Sequence, residues 1–336
     1  MINVAIDSYN TVYQRGGGGI PMRIAKIQNG LSAEGINVAL FDKWNDKLSD
    51  FQILHVFKDN IDSFAEIVYA KESGLKIVIS SVIPQEGGLK IKLGLALYRL
   101  FKINNTYSYL RHVLMLSDAI VAQTKKESVF IQKNYGINGS KIHIIPNGIH
   151  ESVVNSYDPT ISKDIVLCVG RFDRNKNQLN LIRALKGINV PVHFVGGPVP
   201  DEKDYYEACL KEADNSPYFV FHGWLKQGSD DLINLFQRAK VSVLISHKEI
   251  FGNAFVEGAA AGANLVVTKS LPVHEYGFRE GYYQVAPTDV NGIKEAILVA
   301  YKKDVPKDLR ENAIKRYSWE SVILKHIKLY ETLLSH

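Results

Sequence analysis

The stretch Ile165-Val166-Leu167-Cys168-Val169-Gly170-Arg171-Phe172-Asp173-Arg174-Asn175-Lys176 decides the fold class. Its unbroken apolar run reads as a strand covered on both faces, the habit of parallel sheets. Glycine then turns the chain into a polar loop bearing cations. Similar runs recur at Val4–Ile6, Val38–Phe41, Ile53–Val56, Ile77–Ile79 and Ala119–Ala122. A second series holds Ile165–Val169, Val192–Val195, Tyr218–Phe221, Val241–Ile245 and Leu265–Val267. Longer helical patterns separate them. Strand–helix alternation implies βαβ units with right-handed crossovers. Two series in 336 residues imply two doubly wound α/β domains, at about 150 residues each. The seam is expected at Ile145-Pro146-Asn147-Gly148 and the polar stretch Glu151–Lys163, where turn formers replace periodicity.

Composition narrows the function classes. Lys and Arg number 40 against 35 Asp and Glu, a formal charge of +5, too small and too scattered to imply nucleic acid. No apolar run approaches the roughly 18 residues of a membrane span. Met1–Ile6 already reads as a strand, so no signal peptide is expected. Cys168 and Cys209 lack CxxC spacing, which argues against a disulfide framework or a zinc site and suits a reducing cytosol.

In open α/β sheets ligands bind beyond the carboxyl ends of the strands. The loop after the first strand, Arg15-Gly16-Gly17-Gly18-Gly19-Ile20-Pro21, enters a helical pattern over Met22–Glu34 and suits a phosphate. A dinucleotide fingerprint fails on spacing, because the third glycine would fall at Pro21 or Met22. The alternative is a flexible turn. After Val169, Arg171 offers a planar fork and Lys176 a point charge, a pair able to clamp a diphosphate; a solvated basic turn is the plainer reading. The glycine turns at Gly196-Gly197 and Gly223 approach the same edge. The richest segment is Ser246-His247-Lys248-Glu249-Ile250-Phe251-Gly252-Asn253-Ala254-Phe255-Val256-Glu257-Gly258, followed by small residues to Gly262. Glu249 is expected in a loop, and a helix from near Gly252 carries Glu257 about one and a half turns inside. Two carboxylates so placed accept hydroxyls from two parts of one ligand, while amides near Gly252-Asn253-Ala254 meet a phosphate between them. Alternatively Glu257 is solvated; the small residues pack the helix on the sheet in either case.

Arg171 with Lys176, Ser246-x-x-Glu249-x-Phe251-Gly252, and Glu257 eight positions after Glu249 resemble the retaining glycosyltransferases of family 4. Supporting marks are Ser117–Ala122, Lys141–Ile149 and Tyr317-Ser318-Trp319-Glu320. The resemblance implies the GT-B fold, two facing Rossmann-like domains with the C-terminal helix crossing back to the first. The expected domains are then 1–155 with 318–336 on the acceptor side, and 156–317 for the donor. It implies a UDP- or GDP-type nucleotide-sugar donor, with Arg171 and Lys176 on the diphosphate, Glu249 on sugar hydroxyls and Glu257 on the ribose. Gly170, Phe251, Gly252, Asn253 and Ala254 would line the donor through backbone, and Gly16–Gly19 would close over its phosphates. In the family's usual account the acceptor attacks the face the phosphate leaves and passes its proton to a phosphate oxygen, so neither glutamate is a nucleophile. No cofactor is expected. No Asp-x-Asp element is present to hold a metal, and the two cations are expected to neutralise the leaving group. The acceptor is expected to be a glycan or lipid-linked glycan. An epimerase of the same architecture, or a non-catalytic sugar-nucleotide-binding subunit, would share much of the pattern.

One departure concerns Ile79-Ser80-Ser81-Val82, where the family often carries a His. His247 borders the motif, in a loop position equally suited to solvent. Finally, residues 89–103 read as a helix with Leu89, Leu93, Leu97 and Leu100 on one face and Lys92, Arg99 and Lys102 nearly opposite. The ordinary reading puts the leucines on the core. The other lays a basic amphipathic helix on an anionic membrane, making the protein cytoplasmic and peripheral on the inner face.

Overall fold

The computed structural model describes residues 2–14, 19–58 and 62–335. The chain forms two compact units, Met1–Asn147 with Trp319–His336, and Gly148–Ser318. The first unit begins β1 (Asn3–Ser8), α1 (Gly19–Ala33), β2 (Asn37–Leu40), β3 (Ile53–Phe57), α2 (Phe64–Glu72) and β4 (Lys76–Ser80). It continues through α3 (Gly88–Phe101), α4 (Thr106–Leu116), β5 (Ala119–Ala122), α5 (Lys125–Tyr135) and β6 (Ile142–Ile144). Its sheet runs β2-β1-β3-β4-β5-β6, with every pair parallel. Successive residues of β1 feed opposite cores: Val4 and Ile6 pack with Ile24 and Ile27 of α1, while Ala5 packs with Ile67 of α2 and Val113 of α4. Burial on both faces explains why these strands read as unbroken apolar runs.

The second unit runs α6 (Glu151–Asn155), β7 (Ile165–Val169), α7 (Gln178–Leu185), β8 (Val192–Val195), α8 (Lys203–Ala213), β9 (Phe219–Phe221) and α9 (Asp230–Arg238). Then come β10 (Ala239–Leu244), α10 (Asn253–Ala260), β11 (Asn264–Thr268), β12 (Tyr282–Val285), α11 (Val290–Lys302) and α12 (Lys307–Tyr317). The sheet order is β12-β11-β10-β7-β8-β9, again all parallel. The winding reverses between β7 and β10, and a doubly wound sheet binds its ligand at that switch point. In the first unit the reversal lies between β1 and β3. Helix α13 (Trp319–Leu334) belongs to the first unit and lies on α1. A side chain at Gly30 would meet Ile323 at 2.5 Å, so glycine sets that approach.

Three features differ from the sequence reading. Strands β6 and β12 complete the sheets as edges; Tyr282-Tyr283-Gln284 is only partly buried, so no apolar run betrays it. The first unit ends at Asn147, eight residues before the sequence boundary, and the expected linker holds α6, whose Val153 enters the second core. In α3 the leucine face points to solvent, the reverse of the ordinary expectation.

Candidate active site

The loops after β7 and β10 are bound to one another. The Asn175 side chain donates to the Lys248 carbonyl at 3.1 Å and accepts its amide at 3.0 Å, and the His247 amide donates to the Asn175 carbonyl at 2.8 Å. His247 itself is exposed. Within the β7 loop, buried Asp173 is the organiser: one carboxylate oxygen takes Arg171 Nε at 2.5 Å and the other the Lys176 amide at 2.8 Å. This fixes the base of the Arg171 fork while more than half of its side chain stays in solvent, a geometry that can accept an anion. Lys176 reaches the second loop and pairs with Glu249 Oε1 at 2.5 Å, which also accepts from Ser246 Oγ at 2.7 Å. Thus Arg171, Lys176 and Glu249 come together on one loop pair, joined by buried Asp173 and Ser246.

Glycines bring the backbone of this edge close. The Gly170 amide donates to Val195 O at 2.9 Å, and Gly196 sits at φ +125° against Gly170, where any Cβ would collide with the Gly170 carbonyl. Gly252, at φ +77°, is the buried N-cap of α10 and brings no capping side chain to the first turn, where Asn253 and Ala254 are partly exposed. Phe251 is a core residue: its ring stacks on Tyr276 at 5.4 Å, and its carbonyl accepts the Tyr276 hydroxyl. It thereby anchors the turn that aims α10. At Gly258 a Cβ would strike Ser242 of β10, so this helix lies close on the sheet.

Glu257 is the most perturbed carboxyl of the loop pair and its helix. It is buried on α10, and among the described residues its carboxylate has neither a hydrogen bond nor an ion pair. Burial alone pushes its acid up to about 7. A carboxyl in this state can exchange a hydrogen bond with a hydroxyl brought next to it. The sequence could not separate this state from a solvated helix carboxylate. Trp224, after β9, is exposed, and its indole nitrogen lies where a Cβ on Gly197 would be 2.5 Å away.

In the first unit, Gly16, Gly17 and Gly18 lie outside the described residues, and Gly19 opens α1. Ser80 and Ser81 are buried and engaged inward. Ser80 Oγ lies 2.8 Å from His55 Nε2, and Ser81 Oγ donates to Glu127 Oε1 at 2.7 Å. His55 also meets the Tyr330 hydroxyl at 2.7 Å, and burial first, then His326 and Arg23, hold it well below the usual imidazole range. With both ring nitrogens occupied, it does not replace the missing His as an acid or base. Sequence reading passed over it, because a lone His inside an apolar strand looks like core.

Residues 156–316 match the family described as glycosyl transferases group 1. Over 238 residues the chain is 24% identical to an uncharacterised glycosyltransferase of Methanocaldococcus jannaschii, covering 59% of this chain and 67% of that protein. Its matches to two further curated relatives span only 54% and 45% of their lengths. Among solved structures, sucrose-phosphate synthase from Thermosynechococcus elongatus aligns over all of both chains with TM-score 0.77 and 17% identity. HepE of Anabaena, solved with UDP and glucose, aligns over all of both chains with TM-score 0.69 and 15% identity. The chain thus has the GT-B fold, and the match over residues 156–316 supports a group 1 glycosyltransferase.

Proposed function

We propose that the chain moves a sugar from a nucleotide diphosphate sugar to a hydroxyl acceptor, with retention of anomeric configuration. The observation that carries this reading is the loop pair at the β7–β10 switch point. It brings two cations, the Glu249 carboxylate and a helix N-terminus without a side-chain cap into one short stretch of structure. Arg171 and Lys176 bind the diphosphate and offset the charge that grows on it as the glycosidic bond lengthens. Glu249, held by Lys176 and Ser246, orients donor hydroxyls. The first turn of α10 meets a phosphate oxygen, and Glu257 accepts the ribose hydroxyls. Trp224 offers a face on which the base stacks.

A UDP sugar is the first donor to test, given that HepE was solved with UDP and glucose. The acceptor attacks on the face from which the diphosphate departs, and its proton passes to a phosphate oxygen. The two carboxylates therefore bind rather than form a glycosyl ester, unlike the nucleophile of a retaining hydrolase. Neutralisation by Arg171 and Lys176 makes the reaction independent of a metal, so EDTA leaves the rate unchanged. The acceptor is a hydroxyl of a glycan or lipid-linked glycan. Mass spectrometry of a donor screen, followed by NMR of the product's anomeric carbon, tests the reading. Turnover lost in Arg171→Ala and Glu249→Gln supports it; an inverted product, or two fully active variants, refutes it.

A further inference from the structure

Helix α3 turns its apolar ridge away from the protein. Its inward side is set by Ile91 and Gly94, both buried. A Cβ at Gly94 would meet the Tyr107 ring at 2.5 Å, the Asn105 side chain donates to the Gly94 carbonyl at 2.8 Å, and a Cβ at Gly88 would meet Asn134 at 2.7 Å. These contacts with α4 and α5 fix the rotation of the helix. At 100° per residue the opposite face carries Leu89, Leu93, Leu97 and Leu100. They are 82%, 62%, 38% and 70% exposed, and Phe101 beside them is 66% exposed. Nothing in the first unit covers this ridge among the described residues.

Charge says what does. Between Gly87 and Ser117 the chain has five Lys and Arg and no Asp or Glu, a local excess equal to the +5 of the whole chain. Lys90 lies beside the ridge on one side; on the other, Lys92 and Arg99 stand roughly 95–115° round from its centre rather than fully opposite, and all three are exposed. Leucines at the crest with cations on both shoulders match the depth profile of an anionic bilayer: acyl chains for the crest, phosphate headgroups for the shoulders. No helix among the described residues is long and apolar enough to cross a membrane, so the contact is one of lying on it.

We propose that α3 docks the protein on the surface of an anionic lipid bilayer, with Leu89, Leu93, Leu97 and Leu100 inserted and Lys90, Lys92 and Arg99 on headgroup phosphates. Docking does not rest on the chemistry assigned to the second unit, because it is read with neither donor nor acceptor present.

The test is flotation of the full chain with phosphatidylcholine vesicles containing roughly one-third phosphatidylglycerol, at low salt. The wild type rises with these vesicles, and stays down with pure phosphatidylcholine or at high salt. Leu93→Asp/Leu100→Asp lowers the bound fraction at least about tenfold, with an unchanged melting temperature because both side chains already face solvent. Lys92→Ala/Arg99→Ala lowers it while leaving the apolar crest, and serves alone should the first variant fail to fold. Absence of binding at low salt overturns the proposal, as does equal binding by both variants. A dimer of the wild type that ignores vesicles and dissociates in Leu93→Asp/Leu100→Asp also overturns it, making the ridge a self-association surface.

Discussion

Replacing Glu257 by Gln should make the protein more stable and a poorer nucleotide binder at once. The native acid titrates at about 7, against an ordinary value of 4.5, with burial as the cause. Each factor of ten in proton affinity corresponds to about 1.4 kcal/mol, so carrying the charge inside costs about 3 kcal/mol at high pH. The sign follows from proton counts. Between pH 4.5 and 7 the folded protein binds the proton that the unfolded chain has lost, so stability falls as pH rises through this window and is level above it. Glutamine has the same shape and no charge, and it escapes that loss. Glu257→Gln should therefore match the wild type at pH 4.5 and exceed it at pH 8 by about 3 kcal/mol, or some 6–12 °C in melting temperature for a unit of this size. Other carboxyls titrate identically in both proteins and cancel in the difference. Meanwhile the loss of a charge-assisted acceptor should weaken UDP binding by about 10- to 100-fold. Scanning calorimetry across pH with UDP titrations reads both effects. A pH-independent difference in melting temperature would sink the argument, and so would a variant less stable at pH 8.

The remaining predictions probe the other contacts. Arg171→Ala should cut turnover by about 10²–10³-fold while leaving the melting temperature nearly unchanged, since the side chain is largely exposed; steady-state kinetics decides. Lys176→Met and Glu249→Gln should each destabilise, yet the double variant should recover about 1 kcal/mol of the summed loss, because each single change strands a partly buried partner. Gly196→Ala should unfold the second unit or lower its melting temperature sharply, because the new Cβ meets the Gly170 carbonyl rather than a movable side chain. In the first unit, burial holds His326 down at about 3 and His55 well below 6.5. Both must gain a proton on unfolding, so stability is lost as pH falls below 6.5, by about 2–3 kcal/mol at pH 5.5 for the pair. His326→Phe should halve that slope in denaturant titrations.

What the sequence made legible was local. The run Ile165–Val169 and its loop could be read directly, because a strand buried on both faces writes its environment into consecutive residues. The spacing from Glu249 to Glu257 likewise placed the first carboxylate in a loop and the second inside a helix; Glu249 lies in the loop after β10 and Glu257 in α10. What escaped depends on partners far away in the chain. Lys176 and Glu249 are 73 residues apart, and neither loop alone says that the cation and the carboxylate form a pair. Edge strands such as β12 bury only part of themselves and so leave no apolar run. Helix α3 shows the limit most sharply. Its periodicity fixed which residues share a face, but not which face meets the core. That choice was made by glycines at 88 and 94, which admit Asn134 and Tyr107 where leucine would not fit. A stripe of leucines is evidence of a core only when its own side of the helix is where the neighbours can approach. Small residues on the opposite side reverse the reading, and the leucines are then left for something outside the chain.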